Sequence, residues 1–314
     1  MSAVKRLARL KAPAKINWFL HITGRRADGK HMLQSAMQLI DLCDEMSFDL
    51  RDDGVIHRID LGATPADMPS SDLSVRAAQL LQAHCGVTLG CTLTLDKRIP
   101  SGAGLGGGSS DAALTLAALN QLWSCGLSRE ELMALGLQLG ADVPFFLFGQ
   151  SAWAEGIGEQ LHALEVLDER SDGNDSNDHP GQPLLLIKPE RGVATAQAYG
   201  HVLLKRDTPA VPRLTRISMR SLWQQHTNDL QPVAELIEPG VSLALELAQA
   251  HGGLGQARMS GSGSAVFAPR DPKLSYAPRL PAGFSAYCVR TLQTHPGLAA
   301  LRPTAPAVHE AAIT

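Results

Sequence analysis

Cysteine is sparse and scattered: Cys43, Cys85, Cys91, Cys125 and Cys288 make five, an odd number, with no Cys-x-x-Cys pair. Such spacing gives neither a disulfide framework nor a zinc site and reads as the reduced thiols of a cytosolic protein. The eleven histidines show no metal-ligand spacing either, so a structural transition metal is not expected. No apolar run is long enough to cross a bilayer. There is no long basic run and the net charge is −3, which argues against nucleic acid as a partner. The basic start, with Lys5, Arg6, Arg9 and Lys11, leaves no room for a cleavable targeting segment, because a strand pattern begins by Ala14. The chain shows no internal repeat. These absences leave a soluble cytoplasmic protein, and 314 residues suffice for a sizeable core and about two domains.

What is abundant is glycine in one place. Pro100, Ser101, Gly102, Ala103, Gly104, Leu105, Gly106, Gly107, Gly108, Ser109, Ser110 and Asp111 follow one another without a break. Glycine reaches positive φ without steric penalty, so consecutive N–H groups can curl into a nest that holds an anion. The preceding residues, Cys91 to Asp96, alternate apolar and polar as a half-buried strand does. The following ones, Ala112, Leu116, Leu119 and Trp123, give a helical stripe. Strand, glycine loop and helix N-terminus together form a phosphate site. Ser109 and Ser110 suit either an ordinary helix cap or contact with phosphate or Mg²⁺.

Two better-known loops do not fit. A Walker A loop needs Lys followed by Ser or Thr after its last glycine, and here Ser109 follows Gly108 directly. Gly102, Gly104 and Gly107 satisfy the dinucleotide pattern, but about 20 residues on, near Leu122, no acidic residue awaits a ribose.

From Ala14 to Ile22 the residues alternate, placing Lys15 and Asn17 on one strand face. Spacing alone reads them as a solvated edge or as a cation facing a phosphate. Thr23 to His31 turns at Asp28-Gly29, and its Arg25, Arg26, Lys30 and His31 form either a solvated turn or a basic wall for an anionic ligand. Leu33 to Leu50 reads as two strands turning at Asp44-Glu45. Asp72 or Ser71 starts a helix with Leu73, Ala77 and Leu80. Ser128 with Glu131 makes a capping box for a helix ending at Gly140. Asp142 lies between that helix end and the apolar run Phe145 to Phe148, read as a strand. Its carboxylate serves either a turn hydrogen bond or base catalysis. Residues 168–183 are rich in Asp, Ser, Asn and Gly and are expected as an acidic flexible loop between domains.

The second half opens on the strand-like Leu184 to Ile187. It continues with a helix to about Val202, a proline-bearing connection from Asp207 to Arg220, and a helix over Val241 to Ala250. A second small-residue loop, Arg258 to Ser264, runs into a short strand, and two such loops suggest one shared pocket. The tail after Arg290 is expected to have little fixed structure.

Pro100 to Asp111 resembles the phosphate loop of the GHMP kinase superfamily, the group of galactokinase, homoserine kinase and mevalonate kinase. Ala12-Pro13-Ala14-Lys15-Ile16-Asn17 with Thr23 to Gly29, Gly140-Ala141-Asp142-Val143-Pro144, and Arg258 to Phe267 narrow the resemblance to the 4-diphosphocytidyl-2-C-methyl-D-erythritol kinase family. The resemblance implies an α+β fold with a ribosomal-protein-S5-like domain over 1–167, a ferredoxin-like domain over 184–290, and a poorly structured tail over 291–314. It implies ATP as donor, Mg²⁺, and cytidine-diphosphate-linked methylerythritol phosphorylated on its 2-hydroxyl, with no membrane partner and a monomer or homodimer. By position, Lys15 and Asp142 match the family's catalytic pair, and residues 100 to 110 its nucleotide loop. Asn17, His31 and Tyr199 match substrate contacts. At Lys30 the chain departs from the family's usual Asp-Gly-Tyr-His, where the tyrosine stacks on cytosine. Two alternatives accompany this reading: the same fold acting on another alcohol, and a relative that binds nucleotide or sugar without turnover.

Overall fold

The computed structural model describes residues 5–62, 72–167, 181–252, 256–271 and 278–301. The first half contains β1 (Arg6–Arg25), β2 (His31–Arg51), β3 (Ile56–Leu61), α1 (Leu73–Cys85), β4 (Gly90–Asp96), α2 (Gly107–Leu122), α3 (Arg129–Leu139) and α4 (Val143–Phe148). It closes with β5 (Ala152–Glu155), β6 (Gln160–Ala163) and β7 (Glu165–Leu167). The second half contains β8 (Pro183–Pro189), α5 (Thr195–Gly200), β9 (Arg216–Ser218), α6 (Met219–Gln225), α7 (Gln231–Ile237) and α8 (Gly240–Gly252). After them come β10 (Arg258–Met259), β11 (Val266–Pro269), β12 (Phe284–Leu292) and α9 (Pro296–Ala300).

One mixed sheet runs through both halves in the order β10-β11-β8-β12-β2-β4-β3, with β1 and β5 also paired to β2. β12 is the joint, because it pairs with β8 along most of its length and with Leu39 and Ile40 of β2 at its end. Helices α1 to α4 bury Leu81, Leu116, Leu119, Phe145 and Phe146 against β2 and β4. In the second half, Val241, Ala244 and Ala248 of α8 pack with Leu185, Ile187 and Val266 of the sheet. A third core, holding Ile16, Trp18, Ile99, Leu105 and Phe267, lies directly under the glycine loop. The loop therefore rests on packed side chains from both halves.

Several expectations are corrected. β2 is one strand rather than two, and Asp44-Glu45 makes no turn. Its register against β1 instead jumps from Ile40 opposite Ala14 to Cys43 opposite Pro13, so the irregularity is absorbed as a bulge. Asp44 is then turned inward, accepting from the N–H groups of Arg98 at 2.5 Å and Ile99 at 2.7 Å. Phe145 to Phe148 belongs to a helix, α4, not a strand. Short apolar runs satisfy either geometry, and here Pro144 in the first turn and Gly149 at φ 77° set the helix ends. The connection from Asp207 to Arg220 contains β9 and the start of α6. Beyond Arg290, β12 continues to Leu292 and α9 follows, capped by the His295 side chain on Leu298 N–H. Most of the acidic segment, 168–180, and the end of the tail, 302–314, lie outside the described residues. Asp72, as expected, caps α1, and the Ser128–Glu131 capping box is present on α3.

Candidate active site

The loop between β4 and α2 takes positive φ at Gly102, Gly104 and Gly106 (62°, 71° and 73°), and α2 begins at Gly107 with Gly106 as its cap. Neither serine is the cap, so their hydroxyls are free for another use. Ser109 lines a cavity of about 950 Å³, and the Ser110 hydroxyl is buried with no hydrogen-bond partner. At Gly104 a side chain is excluded on two counts. Its φ is left-handed, and a Cβ would lie 2.2 Å from the Ser260 carbonyl oxygen.

The second small-residue loop is zipped onto the first. Ser264 N–H donates to Gly102 O at 3.2 Å, Ala265 N–H to Ala103 O at 3.1 Å, and the Ser260 hydroxyl to Gly104 O at 3.2 Å. β1 joins from the other side, with Lys15 N–H on Leu105 O at 3.0 Å and Asn17 N–H on Ser260 Oγ at 3.3 Å. The face of β1 that carries Lys15 and Asn17 is thus no solvated edge. Both loops cover it, leaving each residue 3 % exposed.

Lys15 Nζ donates to Asn17 Oδ1, and Asn17 Nδ2 donates in turn to Ser35 Oγ at 2.7 Å. The same ammonium lies 3.8 Å from Asp142 Oδ2. Asp142 occupies the cap position of α4 yet makes no side-chain cap bond, and its side chain remains 41 % exposed. Burial lowers the pKa of Lys15 below the usual lysine value, opposed by the Asp142 charge. A Cβ on Gly261 would sit 2.9 Å from Lys15 Nζ, so only glycine backbone leaves the amine its room.

Behind the loop stands a second ion cluster. Lys97 Nζ donates to Asp44 Oδ2 and, at 2.8 Å, to Asp111 Oδ2. Burial pushes the Asp111 carboxyl up, against the pull of Lys97 and with the Asp44 charge adding to it. Burial would lower Lys97, but Asp111 and Asp44 outweigh it and hold that ammonium above the ordinary range.

At the far end of the cavity, Lys30 and His31 come from the β1–β2 hairpin and Tyr199 from α5, and all three line the wall. The His31 and Tyr199 rings are 5.1 Å apart at a 44° tilt. Burial, then the charge of Asp142, raises the Tyr199 phenol. Every site residue predicted from sequence therefore belongs to one place: Pro100 to Ser109, Lys15, Asn17, Lys30, His31, Asp142 and Tyr199 line one cavity, and Ser110 lies just behind its wall. Sequence reasoning brought the 258–264 loop to the pocket without assigning Ser260 or Ser262 a role, and it missed Thr195, 2.9 Å from Ser262 Oγ, and Arg206, which bonds His31. For Ser260 and Ser262 the second glycine-serine loop was the available signal; Arg206 offered none.

Comparison with known proteins agrees with this geometry. Residues 72–150 match the family model for the GHMP kinase N-terminal domain, and residues 202–274 the model for the GHMP kinase C-terminal region. The chain is 51% identical over 272 residues to 4-diphosphocytidyl-2-C-methyl-D-erythritol kinase of Herminiimonas arsenicoxydans, covering 85% of this chain and 87% of that one. With the protein of the same name from Cupriavidus necator it shares 46% identity over 295 residues, 92% and 94% of the two chains. A crystal structure of 4-(cytidine 5'-diphospho)-2C-methyl-D-erythritol kinase superposes with a TM-score of 0.71 at 33% identity, over 90% of this chain and 98% of that one. Mevalonate kinase of Methanococcus jannaschii, at 12% identity and a TM-score of 0.60, shares the fold. No helix among the described residues is long and apolar enough to cross a membrane.

Proposed function

The chain belongs to the 4-diphosphocytidyl-2-C-methyl-D-erythritol kinases of the GHMP superfamily, and on that premise we propose how its own residues carry the reaction. It uses ATP to phosphorylate the 2-hydroxyl of 4-diphosphocytidyl-2-C-methyl-D-erythritol, a step of the non-mevalonate route to isoprenoid precursors. Identity of this degree along nearly the whole chain leaves no ground for another alcohol or for a silent binding protein.

The observation that carries the residue assignment is the open Lys15–Asp142 pair beside an amide-lined cradle. Phosphoryl transfer passes through a loose transition state with charge spread over the moving oxygens, so positioning and electrostatics do most of the work. The backbone N–H groups from Gly104 to Ser109 hold the β- and γ-phosphates, while that of Ser110 is already bonded to Gly106 O at 2.9 Å. Asp142, half open to the cavity, takes the proton from the acceptor hydroxyl. Lys15, 3.8 Å away, steadies that carboxylate in place and offsets the charge developing on the transferred group. Asn17, bonded to both Lys15 and Ser35, fixes the direction of the ammonium. His31 and Tyr199 receive the cytosine, with Lys30 in place of an aromatic wall.

Mg²⁺ belongs to the same proposal. Among the described residues no three His, Cys, Asp or Glu side chains cluster as a metal cage. An ion that keeps waters and binds chiefly through substrate phosphates needs few protein oxygens. The Ser109 hydroxyl on the wall and the unpartnered Ser110 hydroxyl behind it fit that requirement. When bound, Mg²⁺ would neutralise charge on the phosphate oxygens. The division of labour, residues 1–167 for ATP and 184–290 completing the substrate end, and a cytoplasmic setting are part of this reading.

The test is ADP release in a coupled assay with the cytidylyl substrate, wild type against Asp142→Asn. A correctly folded Asp142→Asn protein that turns over at the wild-type rate would remove the base from the mechanism.

A further inference from the structure

Arg206 lies between α5 and β9 on a backbone pinned at both sides. Leu204 is 4 % exposed, Thr208 N–H donates to Ile22 O at 3.0 Å, and the Thr208 hydroxyl bonds Asp229 at 2.7 Å. From there the guanidinium reaches four acceptors. It donates to Leu204 O at 3.0 Å, His201 O at 2.8 Å, Tyr199 O at 3.2 Å and, through Nε, to His31 Nε2 at 3.1 Å. One side chain thus ties the first residue of β2 to the end of α5, the two elements that face each other across the far end of the cavity.

The bond to His31 decides more than distance. Arginine N–H groups donate and never accept, so the ring nitrogen facing Arg206 carries no proton. Burial, then the charges of Arg206 and Arg25, lowers the His31 pKa below the ordinary histidine value, so the ring is neutral near pH 7. The single proton of the neutral imidazole is then on Nδ1. Nδ1 has no hydrogen-bond partner among the described residues, and His31 lines the cavity.

We propose that Arg206 is a positioning residue that sets base specificity: it holds His31 as the Nδ1–H tautomer, presenting a donor that matches the bare N3 of cytosine and opposes the N3–H of uracil. The proposal rests on the cytidylyl substrate reading given above. Removing the guanidinium frees the ring to place its proton on Nε2. Nδ1 then becomes an acceptor, so the loss for cytosine comes with a gain for uracil. Mere loosening of the wall would weaken both alike.

The probes are cytidine 5′-diphosphate and uridine 5′-diphosphate as competitors of the full-length enzyme, in wild type, Arg206→Gln and Arg206→Lys. In wild type the cytidine nucleotide binds more tightly. In Arg206→Gln the ratio of the two affinities falls about tenfold or more, the scale of one gained or lost hydrogen bond. Arg206→Lys, which keeps a donor and a charge, retains more of the ratio. In the same variant the KM for the cytidylyl substrate rises further than kcat falls, and the KM for ATP moves little. An unchanged ratio in Arg206→Gln, or an equal weakening of both nucleotides, would overturn the proposal alone. Equal affinities in the wild type would overturn the substrate reading as well. Independently of any ligand, ¹⁵N spectra of ring-labelled histidine, with His31 assigned by its loss in His31→Asn, should show Nδ1 protonated and Nε2 bare. A wild-type His31 protonated on Nε2 would overturn the proposal even if Arg206→Gln fails to fold.

Discussion

Two lysine–aspartate assemblies flank the same glycine loop, and they are built in opposite ways. Lys15 and Asp142 stand 3.8 Å apart, with the Asp142 side chain 41 % exposed. Lys97 bridges Asp44 and Asp111, whose side chains are 0 % and 1 % exposed, and its bond to Asp111 is 2.8 Å long. A buried ion pair recovers its desolvation cost only through close geometry and added hydrogen bonds. The Lys97 cluster has both, since Asp44 also accepts from the Arg98 and Ile99 N–H groups. It clamps the end of β4 to the start of α2 and so fixes the span of the loop. The Lys15 pair is left loose on its open side, and a carboxylate that is to take a proton from a substrate must have oxygens to spare. Residue types are the same in both assemblies; exposure and bond length separate the pair proposed to act from the cluster that holds the loop.

The strongest attempt to break this contrast is Asp142→Asn. We expect kcat to fall about a thousandfold or more, the upper range for a general base and about 4 kcal/mol of barrier. The melting temperature should fall far less than in Lys97→Met, because the replaced side chain is 41 % exposed and caps nothing, and the buried Lys15 keeps its bond to Asn17. Lys97→Met should do the reverse. It strands two buried carboxylates, with an expected loss of about 3 kcal/mol or more in urea unfolding. Turnover of the molecules that remain folded should suffer far less than in Asp142→Asn. A Lys97→Met protein of normal stability but no activity would exchange the two roles.

Sequence made one side of this contrast legible and hid the other. The cradle could be read because its evidence is local: a strand, glycines at Gly102, Gly104 and Gly106, and a helix lie in consecutive residues. The partnership of Lys15 with Asp142 has no local signature, and only the family resemblance joined those positions. Asp44-Glu45 carries turn chemistry, but the bulge against β1 and three hydrogen bonds to the 97–99 segment turned it into a buried anchor. Phe145 to Phe148 was ambiguous because four apolar residues suit a buried strand or a short helix. Pro144 and Gly149 were the deciding signals. Arg206 sits in a polar connection and acquires meaning only across the 175 positions that separate it from His31.

An alkaline titration sharpens the comparison, because the two lysines shift in opposite directions. Burial lowers Lys15, so its ammonium is lost below the ordinary lysine range and activity should decline there. In that window the unfolded chain still binds the proton, so this group does not weaken the fold as pH rises. Lys97 is held above the ordinary value by Asp111 and Asp44 despite its burial. The stability it contributes is present below its unfolded pKa and disappears only as pH climbs through the higher folded one. Rate profiles and unfolding curves over the same pH series should therefore separate, with kcat declining first and stability following. In Lys15→Arg the early decline should be absent from whatever activity remains. Coincident transitions would place both lysines in one environment.

The smallest effect belongs to Ser260→Ala. Its hydroxyl donates to Gly104 O at 3.2 Å and accepts from Asn17 N–H at 3.3 Å, so it links the phosphate loop to the strand that carries Lys15. Neither contact is short, and each loop has further anchors in Ser264 N–H on Gly102 O and Lys15 N–H on Leu105 O. Losing the hydroxyl should cost about 1 kcal/mol of stability. Because β1 would shift relative to the cradle without any charge being removed, kcat should drop several-fold more than the KM for either substrate rises. If chemical unfolding shows that cost while kcat is untouched, the loose pair is positioned by β1 alone, and the second loop serves only to close the wall.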